Sequence, residues 1–363
     1  MAINQVFPDQ YQQQLDDKAE RIRRQFEPFF SAELDIYASP TSHYRMRAEF
    51  KIWHEDNIAS YAMYEPGEYK RPFTITDFPV GSNQINQLMP TLLAAINEDE
   101  LLARRLFQVE FLTTLSGEAV ISLIYHKPLN DDWETKAKQL SEQLNVSIIG
   151  RSRKQKRVIG EDFVTEALQV NDQTFRYQQV ETGFTQPNAA VCKRMLEWAQ
   201  DIARPLSGDL LELYCGNGNF TIPLSHCFDK VLATEISKTS VNSARYNFAL
   251  NEVTNVDIVR MSSEEFSQAM DRERSFRRLK DVDLDSYHFS TIFVDPPRAG
   301  LDEHTTDVVK RFDNIIYISC NPDTLAHNLN SICETHSVER FALFDQFPYT
   351  HHAECGVLLK RKL

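Results

Sequence analysis

The sequence predicts an α/β protein in which an α+β part precedes a domain built on a parallel sheet. From about residue 184 onward, short apolar strands alternate with longer helical segments, which is the rhythm of βαβ units. Before that point the predicted strands pair locally, and helices fall between them. A chain of 363 residues exceeds the size of one hydrophobic core, so two domains are expected. We place them at residues 1–180 and 181–363.

The composition is that of an ordinary globular protein, with 42% hydrophobic and 25% charged residues. No apolar run is long enough for a membrane helix, and the opening residues lack the apolar core of a signal peptide. We therefore expect a cytoplasmic protein with no membrane contact, and a monomer. The formal net charge of −13 argues against indiscriminate attraction to nucleic acid, although local basic stretches can still dock a specific RNA.

The cysteines do not follow the spacing of a disulfide framework, a zinc site or an iron-sulfur site. No two of them form a C-x-x-C pair, and the first 191 residues contain none. We expect six reduced thiols, at positions 192, 215, 227, 320, 333 and 355.

The first part opens with an amphipathic helix, because apolar side chains recur every three or four residues over 10–30. Residues 43–53 then alternate between apolar and charged side chains, which predicts a strand. Its solvent face would carry Arg45, Arg47 and Lys51.

A hairpin is predicted from segments 107–114 and 119–126, which are separated by a short turn. Residues 131–144 have helical spacing behind acidic N-cap candidates. The run 151–157 contains five cations and no acid, and by itself such a run is typical of a solvated loop.

The second part contains five predicted strands of a parallel sheet, at 210–214, 230–235, 256–260, 291–295 and 315–319. Two late strands, at 337–350 and 354–361, could pair antiparallel. The polar stretch 271–290 interrupts the rhythm and indicates an insertion.

A candidate cofactor loop follows the first of these strands, in the sequence LLELYCGNGNF. Gly216 and Gly218 allow the backbone to turn sharply and approach a ligand, but the third glycine of a G-x-G-x-x-G pattern is missing. Glu235 ends the next strand at the position where an acid accepts hydrogen bonds from ribose hydroxyls. Dinucleotides and S-adenosylmethionine both present a ribose, so these features do not choose between them.

The fourth strand ends in Asp295-Pro-Pro-Arg298. Two successive prolines remove the backbone N–H donors, so carbonyl oxygens and the aspartate would face whatever is bound there. The alternative for this motif is a rigid turn with a surface arginine.

Six motifs together resemble the RNA uracil-5-methyltransferases, which use S-adenosylmethionine. They occur in the order and spacing of that family, and the match is closest to its tRNA branch; they are FTQPN (184–188), LLELYCGNGNF, ATEIS, FVDPPRAGLD, YISCNP and HHAECGVLL. The resemblance implies a class I S-adenosylmethionine-dependent methyltransferase (Rossmann-like) domain preceded by an α+β RNA-binding domain. Related ribosomal-RNA enzymes typically carry an N-terminal iron-sulfur cluster. The lack of cysteines before residue 192 excludes a cluster there and favours tRNA.

The chemistry of this family explains a cysteine at the end of the strand IIYIS, where alone it would be a buried core residue. Carbon 5 of uracil takes a methyl group only after a thiolate has added to carbon 6, and a base must then remove the proton from carbon 5. The resemblance assigns the thiol to Cys320 and the base to Glu354. His351 and His352 are nearby rivals for the base.

The resemblance also implies a binding site for S-adenosyl-L-methionine, with no metal and no iron-sulfur cluster. Glu235 has independent support from its spacing, and Asp295 could hold either the cofactor or the target base. The candidate cofactor-binding residues are Gln186, Tyr214, Gly216, Asn219, Glu235 and Asp295.

The expected partner is the T-arm of tRNA, and other T-loop-like RNAs are possible substrates. A stacked uracil must be flipped out before carbon 6 can be attacked, and loop bases are commonly stacked on aromatic or arginine planes. The candidate RNA contacts are Arg45, Arg47, Lys51, Phe107, His126 and Arg298, together with the 151–157 run. Arg298 is also a candidate cation for the Cys320 thiolate.

Three other functions remain open at this stage. The same chemistry could act on ribosomal RNA. The Asp-Pro-Pro turn is similar to that of enzymes that methylate amino groups, which need no cysteine nucleophile. The chain could also be a module that folds tRNA and methylates it incidentally.

Overall fold

The computed structural model describes residues 4–65, 67–68 and 70–362. It divides into two compact units that do not follow the chain in simple order. The first unit includes Pro40–Ala167 and Gln179–Ala189, and the second includes Asp9–Ser39, Leu168–Gln178 and the described residues from Ala190 onward.

The described residues form ten α-helices. Their bounds are α1 (Tyr11–Phe26), α2 (Asn83–Glu98), α3 (Glu100–Ala103), α4 (Asp131–Leu144), α5 (Ala189–Ala203), α6 (Thr221–Ser225), α7 (Lys238–Leu250), α8 (Ser263–Met270), α9 (Glu303–Val309) and α10 (Pro322–Ile332).

The described residues also form seventeen strands. The first ten are β1 (Asp35–Tyr37), β2 (Arg47–Glu55), β3 (Ile58–Met63), β4 (Phe73–Ile75), β5 (Leu106–Thr113), β6 (Ala119–Tyr125), β7 (Ser147–Ser152), β8 (Gln155–Ile159), β9 (Phe163–Val170) and β10 (Gln173–Val180). The remaining seven are β11 (Asp209–Leu213), β12 (Val231–Thr234), β13 (Val256–Val259), β14 (Phe289–Val294), β15 (Asn314–Ser319), β16 (His336–Phe344) and β17 (Glu354–Arg361).

The second unit is built on an eight-stranded sheet in the order β1-β16-β17-β15-β14-β11-β12-β13. The five strands β11 to β15 run parallel, as the βαβ rhythm predicts. The chain builds outward from β11 in one direction and then returns to build outward from β14 in the other. The two halves meet between β11 and β14, which is where doubly wound sheets bind ligands at the carboxyl ends of their strands.

The late strands pair antiparallel, as predicted, but β17 also enters the interior of the sheet. It lies antiparallel to β15 on one side and to β16 on the other. Gly356 permits this position, because a Cβ atom there would lie 2.7 Å from the ring of Trp198. The sequence pattern showed the pairing of the two strands and not the insertion of the second beside β15.

The N-terminal helix packs on this same sheet. Its apolar face contributes Ala19, Ile22 and Phe26 to the core of the second unit, and the Phe26 and Phe341 ring centroids lie 4.7 Å apart. Strand β1 extends the sheet by pairing parallel with β16. The helix predicted over 10–30 is therefore present as α1, but in the second unit. The boundary at residue 180 stays a prediction drawn from the change of pattern along the chain.

The first unit has a seven-stranded sheet in the order β4-β3-β2-β5-β6-β7-β8. The hairpin predicted from 107–114 and 119–126 is confirmed as the antiparallel pair β5–β6. The predicted helix 131–144 is α4, which connects β6 to its parallel neighbour β7. The predicted strand over 43–53 is β2, shifted to later residues.

The expectation of a loop at 151–157 is wrong, although residues 153–156 are exposed to solvent as expected. The run forms the end of β7, a tight turn and most of β8. Three of its cations are ion-paired: Arg151 with Glu181, Lys156 with Asp162 and Glu181, and Arg157 with Asp131 and Glu134. These ion pairs reduce the positive charge that the run can offer to RNA.

Most of the stretch predicted as an insertion, residues 271–288, lies between α8 and β14 without a long helix or a strand, and it contains two short 3-10 helices; residues 289–290 begin β14. All six cysteines are free thiols. Within residues 4–65, 67–68 and 70–362, none of the helices combines the length and hydrophobicity needed to cross a lipid bilayer.

Candidate active site

The candidate residues of the second unit lie along one edge of its sheet. Glu235, Asp295 and Cys320 are the residues that directly follow β12, β14 and β15. The carboxyl ends of parallel strands share an edge, so the topology brings these three side chains to the same side. Glu354 begins β17, which runs the opposite way, and therefore lies at this edge too.

Cys320 and Glu354 are brought together by strand register. In the antiparallel β15–β17 pair, Ser319 lies opposite Cys355. The next pair beyond the strand ends is therefore Cys320, which follows Ser319, and Glu354, which precedes Cys355. Burial raises the pKa of the Cys320 thiol to about 11, and the nearby carboxyl groups of Glu354 and Asp295 act in the same direction. Arg298 opposes this shift, as expected of a cation near the thiol.

Glu354 and Asp295 form a pair of interacting carboxyl groups. Glu354 is 3% exposed, and burial together with Asp295 raises its pKa well above the usual value. Burial raises the pKa of Asp295 to about 7. Two close carboxyl groups resist simultaneous ionisation, so the pair can hold a proton near neutral pH and exchange it. An acid with this property can serve as a base that accepts a proton during a reaction.

The turn that carries Asp295 is anchored from beneath by Asn328 of α10. The Asn328 Oδ1 atom accepts hydrogen bonds from Leu301 N at 3.0 Å and from Tyr317 OH at 2.8 Å, while its Nδ2 donates to Leu301 O at 2.9 Å. Gly300 has φ +77°, and a Cβ atom there would lie 2.8 Å from Asn328 Oδ1. A left-handed glycine is thus required for the turn to reach the helix.

The same turn is joined to the start of α10, directly after Cys320. The Arg298 carbonyl oxygen accepts hydrogen bonds from Asn321 Nδ2 at 3.1 Å and from Thr324 Oγ1 at 3.4 Å. Asn321 also caps α10 through its side chain, and Pro322 occupies the first helical position. The Asn-Pro turn after Cys320 therefore starts α10 and holds the turn that carries Asp295.

Glu235 holds the glycine loop from below. Its two carboxylate oxygens accept hydrogen bonds from Gly216 N at 3.0 Å and from Ser237 N at 2.7 Å. Gly218 has φ +85°, and a Cβ atom there would lie 2.8 Å from the Phe248 ring. The loop therefore depends on glycine at position 218 for both its conformation and its packing.

Tyr214 enters this loop in a left-handed conformation with φ +63°. Its hydroxyl group donates to Ser263 Oγ at 2.9 Å, and Thr305 Oγ1 lies 3.4 Å from the same Ser263 atom. The phenol is thus directed toward the starts of α8 and α9. A left-handed non-glycine residue is costly, and the hydroxyl contacts stabilise it.

Three buried polar atoms beside the loop lack hydrogen-bond partners among the described residues. They are Thr221 Oγ1, Asn219 Nδ2, which is a donor, and Glu212 Oε2, which is an acceptor. Burial raises the pKa of Glu212 to about 8, and the Thr221 hydroxyl group opposes this shift. A ligand that carries both a carboxylate and an ammonium group, as the methionine end of S-adenosylmethionine does, would satisfy Asn219 Nδ2 and Glu212 Oε2.

Glu212 was not among the candidates from the sequence. Its signal was present, because it is the only acid inside the apolar strand LLEL, where burying a carboxyl group needs a reason. Asn328 was also missed, because its role depends on a contact between elements that are separate in the sequence.

Gln186 belongs to the first unit, whereas the other candidate cofactor and catalytic residues belong to the second. The segment before it is held by Arg47, whose guanidinium group donates to Glu181 O at 2.7 Å and to Gly183 O at 2.9 Å. Met46 N also donates to Pro187 O at 2.8 Å.

Arg45, Arg47 and Lys51, the three cations of the strand predicted over 43–53, lie in different environments. Arg45 and Arg47 are partly buried, and Arg45 Nε donates to the Arg47 carbonyl oxygen at 2.8 Å. Lys51 alone is exposed. The expectation of a solvent-facing trio is therefore correct for Lys51 and wrong for the two arginines.

Lys51 lies beside two other candidate RNA contacts. The rings of Phe107 and His126 are stacked, with centroids 3.8 Å apart and planes 13° apart, and the Lys51 Nζ atom is 5.7 Å from the Phe107 centroid. The hairpin and β2 thus place an exposed cation and a stacked aromatic pair together. Arg298 is exposed in the second unit.

In the part of the chain that the structure describes, no cluster of three or more His, Cys, Asp or Glu side chains is arranged to hold a metal ion. The site described above contains one thiol, four carboxyl groups and a glycine loop.

Two curated proteins that are similar to this chain over nearly its whole length have the same name. The chain is 61% identical over 361 residues to a tRNA/tmRNA (uracil-C(5))-methyltransferase of Saccharophagus degradans, with 99% of each chain covered. It is 60% identical over 354 residues to the protein of the same name from Teredinibacter turnerae, with 97% of each covered.

A solved structure with the same fold is that of Pyrococcus abyssi tRNA (uracil-54, C5)-methyltransferase in complex with S-adenosyl-L-homocysteine. The TM-score is 0.73 at 20% identity, and the alignment covers 96% of this chain and 83% of that one. The likeness confirms the fold class, an α/β protein with a methyltransferase domain. The sequence pattern of the tRNA (uracil-5-)-methyltransferases matches residues 10–362. The chain belongs to the tRNA (uracil-5-)-methyltransferase family.

Proposed function

We propose that this chain transfers a methyl group from S-adenosylmethionine to carbon 5 of a uridine in the T-loop of tRNA, forming 5-methyluridine. The observation that carries the proposal is the adjacency of Cys320 and Glu354 at the ligand-binding edge of the sheet. A thiol and a base at one place are what carbon-5 methylation of uracil requires. The family membership and the shared name of the relatives support the same activity.

In this proposal, S-adenosylmethionine supplies the methyl group as a sulfonium. Asn219 and Glu212 would hold its amino-acid end. The buried Asn219 Nδ2 would donate to the carboxylate group, and the buried Glu212 Oε2 would accept from the ammonium group. Glu235 would accept hydrogen bonds from the ribose while it holds Gly216. Gln186 and Tyr214 remain candidates assigned by family resemblance.

The Cys320 sulfur would add to carbon 6 of the flipped uracil and make carbon 5 nucleophilic. After methylation, Glu354 would accept the proton from carbon 5, and the electrons of that C–H bond would restore the 5,6 double bond as the C–S bond breaks. Asp295 raises the pKa of both side chains, so it would tune the reactivity of the thiol and of the base. Arg298 is the cation available to stabilise the thiolate.

For RNA binding, we propose that Lys51 and His126, which are exposed, and the half-buried Phe107 contact the T-arm. A lysine can neutralise a phosphate, and an aromatic pair can stack on a splayed base. Two named relatives act on tmRNA as well as tRNA, so other T-loop-like RNAs belong among the substrates to test. We infer that the enzyme works in the cytoplasm, as a monomer.

The test uses unmodified tRNA carrying tritium at carbon 5 of its uridines. Incubation with enzyme and S-adenosylmethionine should release tritium to water, and omission of the methyl donor should stop the release. Cys320→Ala should abolish release and methyl transfer. Cys333→Ala is the matched control, since Cys333 is a partly exposed thiol at the other end of α10 and should leave both unchanged.

Two further arms separate the remaining functions. Glu354→Gln should trap RNA on the enzyme as a complex that survives denaturing electrophoresis, because the step after methylation is blocked. Methyl transfer by Cys320→Ala would instead indicate methylation of an amino group. A ribosomal-RNA fragment methylated faster than tRNA would overturn the choice of substrate.

A further inference from the structure

The helix α1 presents a polar face to the segment that leads into Glu354. Tyr11, Gln14, Lys18 and Arg21 recur at spacings of three and four, so they lie on one side of the helix. All four contact residues between β16 and β17, which we call the 345–353 loop. The helix and the loop both belong to the second unit.

The strongest contact is a buried ion pair at the start of this loop. Lys18 Nζ lies 2.6 Å from Asp345 Oδ1, and the two side chains are 3% and 0% exposed. The other carboxylate oxygen accepts hydrogen bonds from Tyr11 OH at 2.9 Å and from Gln14 Nε2 at 2.9 Å. Both oxygens of the buried Asp345 carboxylate thus have hydrogen-bond partners on α1, and these bonds hold the end of β16 against the helix.

Contacts continue along the loop toward Glu354. Lys18 Nζ also donates to Phe347 O at 3.0 Å, and Gln14 Oε1 accepts from Tyr349 N at 3.2 Å. Arg21 donates to His351 O at 2.8 Å. The helix therefore touches the backbone or side chain of alternate residues from 345 to 351.

The loop conformation is one that such contacts must maintain. Tyr349 has φ +61°, a left-handed conformation that costs energy for a residue with a side chain. Its ring packs edge-on against Tyr11 of the helix, with centroids 5.9 Å apart. Contacts from α1 thus compensate for backbone strain at Tyr349, five residues before Glu354.

The same helix reaches the other half of the candidate active site. Gln25 Nε2 donates to Asp323 Oδ1 at 2.8 Å, and Asp323 lies in the first turn of α10, just after Cys320. One helix thus contacts both the segment before the proposed base and the helix after the proposed nucleophile.

We propose that α1 is a positioning element for the proton-removal step, acting through the Lys18–Asp345 pair on the loop that ends at Glu354. This inference rests on the proposed function. Lys18, Asp345 and Arg21 are positioning residues, since they act through the loop and do not touch the reacting atoms. In the affected step the proton leaves carbon 5 for the Glu354 carboxylate, the 5,6 double bond forms and Cys320 departs as a thiolate.

A positioning role predicts a specific defect, because steps before proton removal do not need Glu354. Lys18→Met should lower turnover at least tenfold and raise the fraction of enzyme held as a covalent RNA complex toward that of Glu354→Gln. The rate of Cys320 alkylation without RNA should stay unchanged. Arg21→Ala should show the same pattern with a several-fold effect, and Lys18→Arg should recover part of the turnover.

Two further variants distinguish loss of positioning from loss of folding. Lys18→Met combined with Asp345→Asn leaves no unpaired charge in the core, and it should still trap the covalent complex. Arg24→Ala is the matched control, because Arg24 is exposed on α1 and pairs with Glu20 of the same helix. It should have wild-type turnover and no trapping.

The outcomes separate this inference from the proposed function. If Glu354→Gln traps the complex but Lys18→Met and Arg21→Ala lose turnover without trapping it, then α1 has a purely structural role and the inference is wrong. If Glu354→Gln itself traps nothing, the assignment of the base fails, and the inference fails with it.

Discussion

Glu235 lies beneath the glycine loop and accepts the Gly216 N–H at 3.0 Å, so the acid expected to bind ribose also fixes the backbone that would approach the cofactor. One carboxylate thus links the ends of two neighbouring strands. Because the loop, the acid and the buried atoms of Glu212 and Asn219 are already in place, the structure is preorganised for a ligand of fixed shape.

The first prediction concerns Gly218. Gly218→Ala places a methyl group 2.8 Å from the Phe248 ring at a backbone φ of +85°, so the loop must move. We expect S-adenosylmethionine binding to weaken at least tenfold in isothermal titration calorimetry. Gly117→Ala is the control, because its φ is +96° but nothing lies within 4 Å of the new atom. It should cost only about 1 kcal/mol of stability. Equal binding losses in both variants would contradict the packing argument.

The second prediction concerns the Cys320 thiol. Burial and two carboxyl groups raise its pKa to about 11 in the free enzyme, so the thiolate fraction should rise about tenfold per pH unit below that value. Alkylation by iodoacetamide, followed at the Cys320 peptide by mass spectrometry, should therefore accelerate between pH 7 and pH 10 without a plateau. Arg298→Ala should slow it at each pH, since a cation is lost. A plateau below pH 9 would show that the thiol is more acidic than its surroundings imply.

The third prediction concerns Glu212. Its pKa is raised to about 8 in the folded protein, so the folded state binds the proton more tightly than the unfolded state does. The contribution of the Glu212 carboxyl group to the free energy of unfolding is therefore greatest below the unfolded pKa of about 4.5. It is lost as the pH rises toward 8. Glu212→Gln should remove this loss, on the order of a few kcal/mol. The difference in melting temperature between variant and wild type should then grow more positive from pH 5 to pH 8.

A control for that experiment is saturating S-adenosylmethionine. If its ammonium group pairs with Glu212, the bound wild-type enzyme should lose less stability over the same pH range. A pH dependence that is identical in the variant, with or without the ligand, would refute the role proposed for this carboxyl group.

The fourth prediction compares Arg47 with Lys51. The Arg47 guanidinium group donates to two backbone carbonyls before Gln186, whereas Lys51 is exposed. Lys51→Ala should weaken tRNA binding and reduce the slope of log K against log salt by about 0.9. Arg47→Ala should leave that slope unchanged and weaken S-adenosylmethionine binding. If Arg47→Ala also reduced the salt slope of tRNA binding, Arg47 would be a phosphate contact after all.

Periodicity predicted the elements well wherever local pattern decides the structure. The parallel strands, the β5–β6 hairpin and the pairing of β16 with β17 were all visible as apolar runs and turns. The pattern did not show which elements pack together when they are far apart in the sequence. Nothing in the pattern of α1 says that its apolar face packs on residues more than 300 positions later, because periodicity reports a buried face and not what covers it.

The candidate site shows the same division. Glu235 was found from spacing, because strand length fixes where an acid must sit, and the structure places it at the loop. Cys320 and Glu354 needed the family resemblance, since their proximity depends on β17 entering beside β15. The environments of Arg45 and Arg47 were misjudged because strand alternation separates two faces but does not show which face another segment covers.

The interior position of β17 has a consequence for synthesis of the protein on the ribosome. The sheet of the second unit cannot be completed until β16 and β17 have been made, since β1 pairs with one and β15 with the other. Helix α1 and strand β1 precede most of the first unit in the chain, so they emerge long before the strand with which β1 pairs. A polypeptide interrupted before β17 would lack both Glu354 and the strand that joins the two sides of the sheet. We therefore expect such an incomplete chain to be inactive and to be degraded, because the same missing strand causes both defects.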